Sequence, residues 1–194
     1  MGFLISTIKI LYVIAIFQAL LIAIYLIVRK KGNTTSRIFL ALLLIDFIIF
    51  LTGTLILLIK DYRYLRFFAH LANLTVFLAP PLLYIYYLTL IDHRLKINYK
   101  MLWHTAPFIG IFSLMFYKIV LQTDHRFVFR PYGILLLMVL FLQNLFYLIL
   151  IFKQRGISSL QMTDNTKAKW FKFLFTAIIS IFSLKLLIFM VTKL

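Results

Sequence analysis

Two charged residues fall deep inside long apolar runs of this 194-residue sequence: Asp46, about eight residues into one run, and Lys185, about twelve residues into another. A bare charge at such a position is costly in an apolar medium, so Asp46 should be neutral, paired or turned to a wet cavity. Gln18, Gln143 and Asn144 also lie near the middle of apolar runs. Together they suggest a polar layer built around an Asp46–Lys185 pair that binds a ligand. The plainer alternative is interhelical hydrogen bonding that only fixes packing, at about 0.6 kcal/mol per contact.

Other chemistries find little support. Of the four histidines, His70 and His125 fall toward one side of the bundle and His93 and His104 toward the other, where His93 and His104 could meet near the surface. No metal-ligand spacing connects them. Cysteine and glutamate are absent, which removes disulfides, thiolate metal sites and thiol nucleophiles. There is no nucleophile elbow, no His-Glu-x-x-His pair and no phosphate-binding loop. No two aspartates are close enough in sequence for paired acid–base work. The residues predict neither an enzyme nor a metal or organic cofactor.

The elements that carry these groups are apolar helices. The sequence is 64% hydrophobic with a mean hydropathy of +1.03, more apolar surface than a soluble domain of this length can bury. Six runs are long enough to span a bilayer: 3–28, 38–59, 67–91, 102–121, 132–152 and 173–192. The expectation is one all-α polytopic transmembrane bundle of six helices over 1–194. Its short connections make successive helices antiparallel neighbours.

The net charge of +16 does not point to nucleic acid, because Lys and Arg cluster at the ends of the apolar runs. Loops after the first, third and fifth runs hold twelve basic residues, among them Arg29, Lys30, Lys31, Arg37, Arg94 and Lys96. The opposite side holds eight. The positive-inside rule then places both termini outside. The first run is too long for a signal-peptide core and should stay attached. Asp164 or Asn165, in the longest connection, could cap the sixth helix.

The third run carries the most information. Pro80 and Pro81 sit within it, followed by Tyr84, Tyr86 and Tyr87. A proline pair would break a helix in water. In a bundle, neighbouring helices can satisfy the carbonyls it frees, so the sequence predicts a kink.

The segment FLAPPLLYIYYLTLID (Phe77 to Asp92) resembles the central helix of the polytopic N-terminal region of membrane-bound AraC-type transcriptional regulators of Bacteroidetes. Ala79 stands where that family's Gly-Pro-Leu-Leu-Tyr-x-Tyr pattern has glycine; Pro80 or Pro81, Leu82, Leu83, Tyr84 and Tyr86 overlay the rest. LWHTAPF (Leu102 to Phe108) is similar to the opening of the family's next helix, with His104 and Pro107 at matching positions. SRIFLALLL (Ser36 to Leu44) resembles the start of its second helix, and WFKFL (Trp170 to Leu174) the start of its sixth. The resemblance implies a sensory membrane module. The family's cytoplasmic helix-turn-helix output has no counterpart within these residues, and a seventh span would be needed to bring one inside. The expectation is either a portion of a longer chain or a membrane module used alone.

The sequence therefore predicts a non-enzymatic sensory or ligand-binding module of a bacterial inner membrane. Its surroundings are the lipid bilayer and another membrane protein, and it does not itself bind nucleic acid. Candidate ligand or coupling residues are Asp46, Lys185, Gln18, Gln143, Asn144, Pro80, Pro81, Tyr84 and His104. A structural accessory subunit of a larger membrane complex is the alternative. A solute transporter ranks third, since six glycines and no internal repeat give little sign of broken helices lining a path.

Overall fold

The computed structural model describes residues 2–30, 32–59, 65–92, 99–121, 133–158 and 176, and among them every regular element is helical. The elements are α1 (Gly2–Val28), α2 (Thr34–Leu58), α3 (Arg66–Leu74), a 3-10 turn (Thr75–Phe77), α4 (Ala79–Ile91), α5 (Tyr99–Leu102), a second 3-10 turn (Trp103–Thr105), α6 (Ala106–Leu121) and α7 (Gly133–Ser158). Three stretches, Ser6–Val28, Thr34–Leu58 and Phe67–Ile91, are long and apolar enough to cross a membrane. The sixth expected helix, with Lys185 and the Asp164–Asn165 cap, lies outside the described residues, as do His93 and His125.

The third stretch is the centre of the packing. About 67% of its apolar window is buried, against 33% for Thr34–Leu58 and 11% for Ser6–Val28. Leu82 to Tyr87 form an unbroken buried run, around which Phe39, Leu43, Met101, Tyr147 and Ile151 converge. A second cluster gathers Leu74, Phe77, Met115 and Leu140. Among the residues of α1 whose burial is described, the buried ones are the small Ala19 and Ala23, while large ones such as Phe17, Leu21 and Ile24 turn outward. An outward apolar face of this kind suits lipid as its solvent.

The second helix starts four residues before its apolar run. Asn33 has extended backbone, and its Oδ1 accepts from the backbone N–H groups of Thr35 (3.0 Å) and Ser36 (3.4 Å). That cap makes the polar Thr34–Arg37 stretch a first helical turn rather than a loop. Gly32, at φ +93°, makes the preceding reversal in a region that disfavours side chains. The same corner is tied to α4: Asn33 Nδ2 and Ser36 Oγ donate to the Thr89 carbonyl at 3.3 and 3.1 Å. Replacing Asn33 with Ala removes the cap and one of these ties. It should cost about 1 kcal/mol, read as a lower midpoint in thermal aggregation of the detergent-solubilised protein.

On the far side of the bundle, α2 and α3 approach so closely that only glycine fits. A Cβ placed on Gly53 would lie 2.7 Å from Ala72 Cβ and 2.9 Å from the Ala69 carbonyl oxygen. Ala69 is fully buried. Beside this crossing Thr54 Oγ1 meets Asn73 Oδ1 at 3.1 Å, and Asn73 Nδ2 donates to the Ala69 carbonyl at 2.9 Å. Small residues with a polar tie are the usual means of close helix association in lipid, where no hydrophobic force draws helices together.

Candidate functional site

Pro80 and Pro81 interrupt the central span, and its neighbours repair the damage. Proline has no N–H, so Pro80 and Pro81 cannot donate to the carbonyls of Val76 and Phe77, four residues back. The chain responds by tightening into the 3-10 turn Thr75–Phe77, with Leu78 N donating to the Thr75 carbonyl at 2.7 Å. Regular α-helix resumes at Ala79, with the two prolines in its first turn, where a missing N–H costs least. The expected kink is thus a turn of tighter helix just before the prolines.

The Phe77 carbonyl has a substitute donor. Gln143 Nε2 reaches it from α7 at 2.9 Å. The bond does across two helices what Pro81 cannot do within one. From the other side α2 brings Asp46, which lies twelve residues from each end of that helix. Its carboxyl sits beside Thr75, the first residue of the same turn, whose hydroxyl donates to the Ala72 carbonyl at 2.8 Å. Asp46 and Gln143 are 5% and 8% exposed, so the turn is enclosed by buried polar groups from both flanks. One oxygen of each, Asp46 Oδ1 and Gln143 Oε1, has no hydrogen-bond partner among the described residues. Unpaired buried acceptors are uncommon and call for an explanation.

Other expected members of the polar layer lie elsewhere. Asn144 Nδ2 donates to the Leu140 carbonyl of its own helix at 2.8 Å. Gln18 is exposed on α1. Thr75 is a member that sequence reading passed over. A lone threonine in an apolar run carries no signal until packing sets it beside Asp46.

Tyr84 and His104 join a second cluster, nearer the Asn33 end of the bundle. The rings of Tyr84, His104 and Tyr147 pack with centroids 5.2 to 5.6 Å apart, one each from α4, the second 3-10 turn and α7. Tyr147 Oη donates to the His104 carbonyl at 3.0 Å and lies 3.1 Å from His104 Nδ1. The phenol has one proton. With that proton on the carbonyl, Nδ1 must carry hydrogen and donate back to the phenol oxygen. The pair is a clamp between α7 and the turn that leads into α6. Tyr147→Phe removes both bonds and keeps the ring; it should lower stability by about 1–2 kcal/mol, seen as earlier thermal aggregation with unchanged helix content by circular dichroism.

Among the described residues no group of three or more His and Asp side chains is placed to hold a metal ion. No protein-family model, curated protein or solved structure matches this chain.

Proposed function

We propose that this protein is a non-enzymatic integral-membrane sensory or ligand-binding module. In this reading it is a six-helix bundle of a bacterial inner membrane with both termini outside, similar in plan to the membrane region of AraC-type regulators. The observation that carries the reading is the Gln143–Phe77 bond across a proline-broken span. A break in the most buried helix, held by a side chain from another, is an element with two arrangements: donor engaged or donor withdrawn. A ligand that binds one arrangement better shifts the balance between them. The buried carboxyl of Asp46 against the same turn supplies a polar group for such a ligand.

The test is native mass spectrometry of the gently extracted protein, wild type and Asp46→Asn. The expected result is a small ligand on the wild type, lost from a variant that still runs as a single species. Retention of another membrane protein in fixed ratio, with no small ligand in either form, would instead favour an accessory subunit.

A further inference from the structure

The corner between α1 and α2 sets positive charge at the end of an outward-facing apolar helix. The last turn of α1 leaves Ile24, Tyr25, Ile27 and Val28 exposed. Arg29 and Lys30 follow directly and are exposed as well. The Arg29 guanidinium lies over the Tyr25 ring, 5.7 Å from its centroid. The side chain therefore turns back along the helix, to the boundary between the apolar face and the basic end.

Arg37 comes to the same end from α2. Its Nη1 donates to the Leu26 carbonyl at 3.3 Å, and its Nη2 donates to Thr34 Oγ1 at 3.2 Å in an exposed contact. A guanidinium carries five N–H donors in one plane. These two bonds fix that plane, and the other three donors have no acceptor among the described residues. Nε is enclosed, so an acceptor from outside would meet the Nη edge beside Thr34. Asn33 already takes the N–H groups of Thr35 and Ser36, so the attraction here is that of the cations and not of the helix end. Against Arg29, Lys30 and Arg37 the described residues set one acid on this side, Asp92 at the end of α4.

An apolar face that ends in cations matches the order of a phospholipid, acyl chains and then phosphate. We propose that this corner binds one anionic phospholipid, with its phosphate on Arg29, Lys30 and the outer edge of Arg37 and its acyl chains along the outer face of α1. A zwitterionic lipid brings its own cation to the headgroup and gains little from the basic corner; an anionic one keeps its charge for the protein. Arg37 is held in place beforehand, so binding has less to order. The site is separate from the interrupted span, and neither proposal depends on the other.

The test is native mass spectrometry of the full chain in mild detergent, supplied with equal amounts of phosphatidylglycerol and phosphatidylcholine of one acyl length. Wild type should keep one phosphatidylglycerol per chain, with a preference on the order of a hundredfold for three cations, at roughly fivefold each. Lys30→Gln should lose about fivefold of that preference, and Arg29→Gln with Lys30→Gln roughly twenty-fivefold. Both residues are exposed, so the double variant should run as a single species and match the wild-type thermal-aggregation midpoint in phosphatidylcholine. Lys153→Gln, at an exposed position of α7 on the same side, should keep the full preference. Equal retention of the two lipids by the wild type would overturn the site. So would a double variant that keeps its phosphatidylglycerol. Equal loss in Lys153→Gln would overturn it too, because the attraction would then belong to the whole basic rim. Displacement of the lipid by inorganic phosphate at the same concentration would show a free-anion site instead.

Discussion

Gly53→Leu should be the most damaging single substitution among the positions described. Even alanine at this position would set a Cβ 2.7 Å from Ala72 Cβ and 2.9 Å from the Ala69 carbonyl oxygen. The second contact is with main chain, which cannot rotate aside. Relief requires α2 and α3 to move apart. That movement opens the crossing, breaks the Thr54–Asn73 contact and unseats Ala69 from a fully buried position. Overpacking of this kind costs about 1–3 kcal/mol for a small group and more for a branched one. Gly53→Ala should therefore cost about 1–3 kcal/mol and Gly53→Leu about 3 kcal/mol or more, enough to shift most of the protein from a single species to aggregate on extraction. Gly110 supplies the control. A Cβ there meets nothing within 4 Å, so Gly110→Ala should behave as wild type or slightly better, because alanine is the stronger helix former. Equal loss at both positions would mean that the crossing is looser than described.

Gln143→Leu is expected to cost about 2 kcal/mol, because it leaves the Phe77 carbonyl buried with no donor. Its sharper form is a double-mutant cycle with Pro81→Ala. Alanine at 81 restores a backbone N–H that can donate to the Phe77 carbonyl within the helix. The Gln143 side chain is then redundant. In the Pro81→Ala background, Gln143→Leu should cost well under half of what it costs alone, a coupling of about 1 kcal/mol. Additive costs would show that Gln143 serves packing and not the carbonyl. The cycle also bears on function. Pro81→Ala should straighten the central span, and a regular span has no second arrangement for a ligand to select. Asn144→Ala is a suitable comparison, since that side chain donates only within α7 at 2.8 Å.

The two clusters on the central span divide the work along its length. Tyr84, His104 and Tyr147 hold the fourth and fifth apolar runs to α4 with ring contacts and a double hydrogen bond. Asp46, Thr75 and Gln143 hold the interruption itself, and leave acceptors over. The first arrangement is satisfied and should be rigid. The second is not fully paired, and unpaired buried groups are where a bundle can be changed by what enters it.

Composition alone determined the class. With 64% hydrophobic residues arranged in long runs, the backbone has to pair with itself, and helices are the way a single span does so. The sequence also located the break, because proline lacks an N–H wherever it sits, and it marked Asp46 and Gln143 as polar groups in apolar surroundings. What it left open was which of these groups meet. Gln18, Gln143 and Asn144 look alike as polar residues in apolar helices, yet one is exposed, one bonds another helix and one bonds its own. When nearly every position is apolar, periodicity no longer tells a buried face from a lipid-facing one, so rotation about each helix axis is illegible. Gly53 and Thr75 were invisible for the same reason: a glycine is needed only where another backbone comes close, and a threonine matters only beside a carboxyl. Those contacts join residues on different helices, and packing alone selects which helices and at what rotation.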